Sequence, residues 1–346
     1  MKKKILFIVM GVTIGMTQGR GGGALRPHWS AKSFLVIVPT LGKKANIVCE
    51  QLENLDSSNV NPGHWSTLAR RIGRVNTRYD GIIVTHGTDT MAITATATAL
   101  ALGRGLQIPV VFTGSQLPLM AFGSDARFNL ENSVKTVIEA SDQKIAEVMI
   151  VFGDRALRAV RTTKISEASF TAFDSPLFPP LARISATGVM FSDQAYRRIQ
   201  TRSSLEVRDQ FDSSILVIDI MPGLQSDVLL DIVRSKKCHG LILRSLGAGN
   251  LPTVGGYSFI PLIKEASKRG VPIFITTKFF GGRTHSDLYE PGQSALDAGA
   301  IFTGDLTDDA LQVKLMWALG QGYRSHTDLQ NVIHKNFVGE VSSASS

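Results

Sequence analysis

Short runs of apolar residues alternate along this chain with longer segments that have the periodicity of amphipathic helices. This alternation predicts parallel α/β units, because a strand buried on both faces is apolar throughout and the next helix packs across it. In the first half, strands are predicted at 5–10, 34–39, 45–52, 81–86, 109–114 and 148–153. Helices are predicted at about 62–77, 90–102 and 127–141. The segments 157–163 and 174–181 are predicted to lead away from this sheet.

A second, smaller set of α/β elements follows a polar and charged stretch at 191–212. Its strands are predicted at 214–220, 240–246, 271–277 and 300–304, and its helices at 226–235, 257–269 and 309–321. A chain of 346 residues is also too long for one small core. We therefore predict two α/β domains with mainly parallel sheets, a larger N-terminal one at 1–190 and a smaller C-terminal one at 213–346, joined by a linker at 191–212.

Composition indicates a globular protein without a metal or disulfide framework. Hydrophobic residues make up 43% and charged residues 19% of the chain. Cys49 and Cys238 lie far apart in or beside apolar segments and are interpreted as buried thiols, and no histidine pair has zinc-site spacing. The formal charge of +8 comes from dispersed basic residues without an aromatic-basic motif, so we interpret it as a solvated surface and do not expect nucleic acid as a partner.

The N-terminal sequence MKKKILFIVMGVTIGM fits two structures. A basic start followed by about a dozen apolar residues has the outline of a secretory signal. The alternative is a buried first strand, 4–10, that enters a glycine turn. The run is too short to span a membrane and lacks a clear small-residue cleavage site.

Three predicted strands end in glycine and hydroxyl residues, at 11–15, 85–90 and 113–116. Ligands bind at the carboxyl ends of parallel strands, where glycine allows close approach and a hydroxyl can attack, donate or accept. A hydroxyl becomes a good nucleophile only when a base removes its proton. Lys164 is a candidate base, and Asp89, next to Thr88, could hold its amine. We interpret His86 as a residue that bonds the backbone and shapes the turn.

At this point the sequence resembles a known family. Residues 81–91, GIIVTHGTDTM, are similar to the second asparaginase signature without a mismatch, and MGVTIGM at 10–16 resembles the first. Further similarity to type I asparaginases lies in LDSSN at 55–59, TGSQLPL at 113–119, SDARFNLENS at 124–133, RTTK at 161–164, LILRSLGAGN at 241–250 and KLMWALGQG at 314–322. The resemblance covers nearly the whole chain and implies an asparaginase-like fold.

The resemblance implies a threonine amidohydrolase that converts L-asparagine to L-aspartate and ammonia through an acyl-threonine intermediate. Thr13 would be the nucleophile, and Thr88, Asp89 and Lys164 would form the proton relay. Substrate binding would fall to Ser57, Ser58, Thr88, Asp89, Ser115 and Asn250. Asn250 would serve a neighbouring subunit, in a homodimer or homotetramer with no cofactor, no metal and no membrane attachment. A catalytic Thr13 also favours the strand over the signal, because cleavage would discard it, and so predicts a cytoplasmic protein.

Three positions depart from the family pattern. Met10 replaces a usual threonine, and Val12 replaces the glycine before the nucleophile, although a β-branched residue cannot comfortably adopt positive φ. The lid at 17–27 carries no tyrosine, where the family uses one to orient the nucleophile. Two interpretations remain open: an enzyme in which another group replaces the tyrosine, or an amino-acid-binding homologue with weak or no turnover.

A second enzyme class is also compatible with the resemblance. Ammonia-releasing subunits of tRNA-dependent amidotransferases share this fold but carry an extra N-terminal domain, and the first strand here is predicted within five residues of Met1. Preference for asparagine or glutamine stays open. Allosteric control stays open too, since Arg244 matches the type I pattern for a second asparagine site while Leu246 departs from it.

Overall fold

The structure, a computed structural model, describes residues 1–11, 38–199, 205–235 and 237–342, together with the backbone of two short strands at 16–18 and 25–27. The chain divides into two compact units, Met1–Asp209 and Gln210–Ser346. Each has a mainly parallel sheet with helices, so the predicted fold class of two α/β units, the larger first, is confirmed. The linker and the domain limits proposed from the sequence stay predictions.

Twelve strands and four α-helices are described in the first unit. The strands are β1 (Lys4–Val9), β2 (Met16–Gln18), β3 (Leu25–Pro27), β4 (Asn46–Gln51), β5 (Gly81–Thr85), β6 (Val110–Thr113), β7 (Val148–Phe152), β8 (Arg155–Arg158), β9 (Thr163–Lys164), β10 (Phe173–Asp174), β11 (Ala182–Ser185) and β12 (Gly188–Phe191). The helices are α1 (Thr40–Lys44), α2 (Pro62–Val75), α3 (Met91–Leu102) and α4 (Ala126–Asp142). Short 3₁₀ turns lie at Ser57–Asn59, Gly103–Gly105 and Ala159–Arg161.

Eight of these strands form one sheet in the order β12-β11-β8-β7-β6-β5-β1-β4. The five strands from β7 to β4 run parallel, and β5, β6 and β7 are buried along their whole length, as expected for strands covered on both faces. The three strands at the other edge run antiparallel.

The antiparallel edge corrects one prediction. The segment at 157–163 does not leave the sheet at its start, because residues 157 and 158 belong to β8, which pairs with β7 through a two-residue turn at Gly153 and Asp154. Gly153 adopts φ +66°, a left-handed conformation that favours glycine and lets the chain reverse at once. Most of the strand predicted at 34–39 lies outside the described residues; of its last two residues, Val38 is buried and Pro39 lies in a turn before α1.

Strand β1 decides between the two interpretations of the N-terminal sequence. It pairs with β4 on one side and β5 on the other, and Ile5 to Val9 are fully buried. The strand interpretation is therefore confirmed. Loss of this segment would remove an inner strand and open the sheet between its neighbours.

The second unit contains four parallel strands in chain order: β13 (Ile215–Asp219), β14 (Gly240–Ser245), β15 (Ile273–Thr277) and β16 (Ala300–Phe302). Its helices are α5 (Leu230–Arg234), α6 (Ile260–Lys268), α7 (Glu290–Asp297), α8 (Asp308–Gly320) and α9 (His326–His334). The patterns did not predict α7 and α9. Among the described residues, no helix combines the length and apolar character needed to cross a bilayer.

Candidate active site

The ends of three neighbouring strands, β1, β5 and β6, lie level with one another at the carboxyl edge of the first sheet. The Met10 amide donates to the Thr85 carbonyl oxygen at 3.1 Å, and the His86 amide donates to the Thr113 carbonyl oxygen at 2.9 Å. These bonds continue the parallel pairing one residue beyond the strands. The loops that follow therefore leave the sheet at one place, as the pattern of strand ends predicted.

Two glycines at this edge allow the chain to approach neighbouring segments more closely than a side chain would permit. At Gly11, φ is +108°, and an added Cβ would lie 2.1 Å from the Leu55 carbonyl oxygen. At Gly87, an added Cβ would lie 2.6 Å from Ser57 Oγ. Both contacts are shorter than any real side chain tolerates, so these positions need glycine. They bring the 55–59 segment against the ends of β1 and β5.

Lys164 reaches this edge from a separate hairpin. It lies in β9, directly opposite Phe173 of β10, and the buried Phe173 ring packs against Phe152 with centroids 5.1 Å apart. Lys164 Nζ donates to Thr88 Oγ1 at 2.9 Å and to Asp89 Oδ1 at 2.7 Å. Three of the four residues predicted to be catalytic are thus in direct contact, although 76 positions separate Lys164 from Thr88.

Exposure differs sharply within this group. Thr88 is buried, Lys164 is 16% exposed and the Asp89 side chain is 66% exposed. The ion pair of Lys164 with Asp89 is therefore partly screened by water and contributes little to stability. Its value lies in geometry: one amine faces a buried hydroxyl, and one carboxylate remains open to a ligand. Such a group can move a proton between a hydroxyl and an amine while the carboxylate holds a cation.

The serines predicted to bind substrate differ in how they are engaged. Ser57 is buried beside Gly87, and its carbonyl oxygen accepts a hydrogen bond from Thr90 Oγ1 at 2.7 Å. Ser58 is exposed, and its amide and hydroxyl both donate to Asp56 Oδ1. These two bonds hold the pKa of Asp56 below its ordinary value. Ser115 is fully buried, and its hydroxyl donates to the Leu117 carbonyl oxygen.

A network behind Ser115 was missed by the sequence analysis. The Gln116 side chain accepts from Thr88 Oγ1 at 3.4 Å and donates to the Ser169 carbonyl oxygen at 3.1 Å, so it links the loop after β6 to the loop after Lys164. The Asp125 carboxylate accepts from the Gln116 amide. Asn129 spans two strand ends, since its side chain donates to the Gly114 carbonyl and accepts from the Gly153 amide.

A signal for this network exists in the sequence. Asp125 and Asn129 are four residues apart, so they share one face of α4, and both precede apolar positions of that helix. Polar residues at that spacing next to a strand end predict a capped and cross-linked loop. The resemblance of the segment 124–133 to type I asparaginases does not by itself give either residue a role.

His86 forms the buried wall of the site. Its ring is fully buried, and Nδ1 lies 2.8 Å from the Gly87 carbonyl oxygen, so Nδ1 carries the proton and donates. This contact confirms the interpretation of His86 as a backbone-bonding residue. Nε2 has no hydrogen-bond partner among the described residues. Burial lowers the pKa of His86 to about 4, and the bond to Gly87 offsets this only in part. The ring is therefore neutral at pH 7.

The low pKa of His86 predicts a pH-dependent stability. Unfolding restores the ordinary pKa of about 6.5, so between pH 6.5 and 4 the unfolded chain binds the extra proton. Stability from this group is fully present above pH 6.5 and is lost as the pH falls toward 4. We expect urea unfolding at pH 4.5 and 7.5 to differ by about 2–3 kcal/mol more in the wild type than in His86→Asn. Equal pH dependence in both proteins would contradict the buried neutral ring.

The contact between Gly87 and Ser57 predicts a loss of activity on Gly87→Ala. The new Cβ would displace Ser57 or the loop that carries Thr88, because it would sit 2.6 Å from Ser57 Oγ. A displacement near 1 Å in a catalytic geometry costs about 100-fold in rate. We expect kcat/KM for amide hydrolysis to fall about 30- to 100-fold. The matched control is Gly42→Ala, whose Cβ would have nothing within 4 Å. Equal activities in the two variants would show that the close approach is not required.

Two predicted features lie wholly or partly outside the described residues, and two others belong to the second unit. Thr13, the proposed nucleophile, and Val12 are outside the described residues. Of the lid at 17–27, only the backbone pairing of β2 with β3 is described. Asn250 belongs to the second unit, where its backbone exchanges hydrogen bonds with Leu246, and its proposed reach to another subunit stays a prediction. Arg244, also in the second unit, pairs with Asp219 and Asp308 at 2.9 and 2.6 Å.

Comparison with known proteins matches both units. The family model "Asparaginase, N-terminal" matches residues 4–197, and "Glutaminase/Asparaginase C-terminal domain" matches 214–333. The chain is 36% identical to a subunit of the glutamyl-tRNA(Gln) amidotransferase of Aeropyrum pernix, over 99% of this chain and 80% of that protein. It is 32% identical to L-asparaginase 1 of Escherichia coli, over 98% of both chains. The structure of the thermostable L-asparaginase from Thermococcus kodakarensis superposes with a TM-score of 0.87 at 30% identity, over 99% of this chain and 100% of that one.

A two-unit α/β fold with a lysine, a threonine and an aspartate in contact at the carboxyl edge of its larger sheet, together with the matches to L-asparaginases, places the chain among the amidohydrolases. The chain belongs to the asparaginase family, which both of its units match. The prediction of an amidohydrolase is thereby confirmed at the level of the family.

Proposed function

We propose that this protein hydrolyses the side-chain amide of L-asparagine to L-aspartate and ammonia through an acyl-threonine intermediate. The observation that carries the proposal is the contact of Lys164 Nζ with Thr88 Oγ1 at 2.9 Å, beside an exposed Asp89. Thr13 attacks the amide carbon, and its proton passes through Thr88 to Lys164. Lys164 returns the proton to the departing nitrogen, which leaves as ammonia. Water then cleaves the threonine ester and restores the free hydroxyl.

In this proposal, binding of the substrate changes the interaction of Lys164 with Asp89 and so makes the proton relay ready to react. Its α-ammonium binds the exposed Asp89 carboxylate and so shares the carboxylate that Lys164 contacts. Two cations beside one carboxylate repel each other, which favours transfer of the Lys164 proton to water before Lys164 accepts the proton of Thr13. Ser57 holds the α-carboxylate, and the Ser115 backbone faces the leaving amide. Amide hydrolysis is thereby coupled to the presence of a free amino-acid group.

Substrate profiling tests this function. The purified protein is assayed for ammonia release from L-asparagine, L-glutamine and N-acetyl-L-asparagine, without tRNA or a second protein. We expect hydrolysis of L-asparagine and at least a roughly 100-fold lower kcat/KM for the acetylated compound, since it lacks the cation that Asp89 binds. Absence of ammonia release from both free amino acids would contradict the proposal.

A second candidate is the ammonia-releasing subunit of a tRNA-dependent amidotransferase. Two observations favour it: the 36% identity to a known amidotransferase subunit, and the charge of the first unit, which holds 25 Lys and Arg residues against 16 Asp and Glu. The second unit holds 12 against 13. Ammonia release that requires glutamine together with a tRNA-binding partner would support this candidate over an independent asparaginase.

A homodimer or homotetramer is proposed on the basis of exposed apolar side chains next to the relay. Met120 and Phe122 are 67% and 104% exposed, and Ile165 and Phe170 are 46% and 48% exposed, on two loops that Gln116 ties together. Large apolar side chains exposed to this extent are typical of interaction sites when they gather in one region. We expect sedimentation equilibrium to give at least twice the mass of the chain and Phe122→Glu to lower it. A wild-type monomer would contradict the assembly.

Location in the cytoplasm also stays a proposal. It is supported by the position of Lys4–Val9 as an inner strand of the sheet, because a segment of this kind belongs to the folded unit. The apolar N-terminal run therefore has a structural role without any need for export.

A further inference from the structure

A groove separate from the relay lies on the first unit, between α1, the outer face of α4 and the turn that joins β11 to β12. Its volume is about 520 Å³. This lies within the range of about 300–1,000 Å³ that is typical of sites for small molecules. The floor is apolar and is formed by Leu41, Val134, Ile138 and Val189. Leu41, Val134 and Val189 are buried, so the floor is a fixed part of the sheet-and-helix core.

The rim of this groove carries an excess of cations. Lys43 and Lys44 lie in the last turn of α1, and Lys135 lies on α4. Within the described part of the chain, Lys43 and Lys44 form no ion pair or side-chain hydrogen bond, while Lys135 donates to Asn132 Oδ1 at 3.5 Å and its charge also acts on Glu131. Both lysines of α1 are exposed. Their charges are therefore available to a ligand.

The two carboxylates of the groove are already engaged. Glu131 accepts from Thr40 Oγ1 at 2.6 Å and from Arg127 at 3.2 Å. Although burial would raise the pKa of Glu131, these bonds outweigh it and hold the pKa below its ordinary value. Glu139 accepts from the Gln143 side chain at 2.8 Å. Arg127 and Lys135 both compensate Glu131, Glu139 keeps its charge, and the lining as a whole holds three lysines against two carboxylates above an apolar floor.

The second unit has a cavity of similar size, about 540 Å³, which offers a useful contrast. Its basic side chains already have acidic partners: His239 and Arg324 both contact Asp212, at 2.7 and 3.0 Å, and Arg269 binds Glu265 at 2.6 Å. A ligand there would have to displace existing carboxylates. In the groove of the first unit, Lys43 and Lys44 hold no carboxylate among the described residues that a ligand would have to displace.

We propose that the groove binds a small amphipathic carboxylate, with its acid group between Lys43, Lys44 and Lys135 and its apolar body along Val134 and Ile138. The apolar floor excludes a purely polar anion as the preferred ligand, because such an anion would leave the floor exposed to water. The free ammonium groups favour a carboxylate over an alcohol of equal length. The volume limits the ligand to a small molecule.

Binding of straight-chain carboxylates to the full-length protein tests this inference by isothermal titration calorimetry. The probes are hexanoate, octanoate and decanoate, with decanol as the uncharged control, all below their micelle concentrations. We expect affinity to rise about two- to fourfold for each added methylene, as partial burial of the chain predicts. Decanol should bind more weakly than decanoate, and added salt should weaken decanoate alone. Decanol that binds as tightly as decanoate would overturn the assignment of the lysine rim.

Variants assign the signal to the groove. Lys43→Ala combined with Lys44→Ala should weaken decanoate about three- to tenfold, the range expected for two exposed ion pairs. Ala186→Glu lies in the exposed β11–β12 turn, so it leaves the core intact, and it should weaken decanoate further by repulsion. Lys264→Ala, on α6, is the matched control and should bind as the wild type does. Unchanged binding in both groove variants would overturn the site.

One further outcome would replace the inference by a different one. If Ala186→Glu lowers the oligomeric mass in sedimentation and decanoate does not bind to the wild type, the groove is covered by a second copy of the chain. Ammonia release from L-asparagine is measured on the same samples. Because none of the groove residues belongs to the relay, failure of decanoate binding leaves the proposed amidohydrolase activity untouched.

Discussion

Replacement of Lys164 by methionine lowers kcat for ammonia release from L-asparagine about 10³-fold or more and changes KM little. Methionine preserves the length and apolar stem of lysine but cannot contact Thr88 Oγ1 as Nζ does at 2.9 Å. Without the amine, the described hydrogen-bond partner that remains to Thr88 Oγ1 is the Gln116 side-chain amide oxygen, which is too weak a base to take up the proton of the nucleophile. Loss of a general base typically costs about 10²–10⁴-fold. KM should change little because Asp89 and Ser57, the residues proposed to bind the substrate, stay in place.

Lys164→Arg separates the proton relay from the ion pair. A guanidinium can still bind the Asp89 carboxylate but cannot release its proton near neutral pH. We expect this variant to be as slow as Lys164→Met. Lys264→Met, on the surface of the second unit, should retain wild-type kinetics. Full activity in Lys164→Met would remove Lys164 from the mechanism, and full activity in Lys164→Arg would reduce its role to charge pairing.

Replacement of Thr13 by alanine abolishes ammonia release, with an expected fall in kcat of about 10⁴–10⁶-fold. The effect is larger than for Lys164 because the covalent path itself is lost. Binding of L-asparagine should persist within about threefold, since the residues proposed to hold its charged groups remain. Thr13→Ser should retain measurable activity because it keeps the hydroxyl. The measurements are steady-state ammonia release and calorimetric binding on the same preparations.

The same pair of measurements tests the interpretation as a binding protein. A sensor or scaffold would bind L-asparagine equally with threonine or alanine at position 13 and would release no ammonia in either form. An amidase with another nucleophile would keep its turnover in Thr13→Ala.

Val12 is one of the two departures from the family pattern in the segment 10–16, and it can be tested by Val12→Gly. This substitution restores the residue that the family has there and should raise kcat if the turn is strained.

The fold was predictable where one local rule dominates. Strands β5, β6 and β7 are buried on both faces, so their sequences are unbroken apolar runs that cannot be mistaken for amphipathic helices. The start of α2 was equally clear, because Asn61 caps the helix and Pro62 occupies its first position. Elements of this kind carry their own signal and need no tertiary information.

Elements whose structure depends on tertiary contacts were missed. Strands β8, β11 and β12 are short, carry charged residues such as Arg155 and Arg183, and pair antiparallel at the sheet edge. The half-exposed pattern of β11 and β12 over four residues each is too brief to distinguish from a loop, and the mostly buried β8 is equally short. The segment at 157–163 was therefore predicted to leave the sheet, although its first two residues belong to β8 and extend it.

The candidate site divides in the same way. Thr88 and Asp89 could be found from the strand-end rule and the family signature. The contact of Lys164 with both could not be derived from spacing, because it depends on a hairpin anchored by Phe173. Likewise, Asp125 and Asn129 lie in a segment that resembles the family, but only the structure shows what they do. Asp125 accepts a hydrogen bond from the Gln116 backbone amide, and Asn129 links Gly114 to Gly153.

Two hydroxyls and one amine carry the proposed chemistry, and a crystal structure of Lys164→Met with bound L-asparagine tests their arrangement most directly. We expect Thr13 Oγ1 about 3–3.5 Å from the amide carbon, with Thr88 Oγ1 within hydrogen-bond reach of Thr13 Oγ1. The substrate ammonium should contact the Asp89 carboxylate. A Thr13 side chain that points away from the substrate, or a Thr88 hydroxyl that lies closer to the amide carbon, would contradict the mechanism.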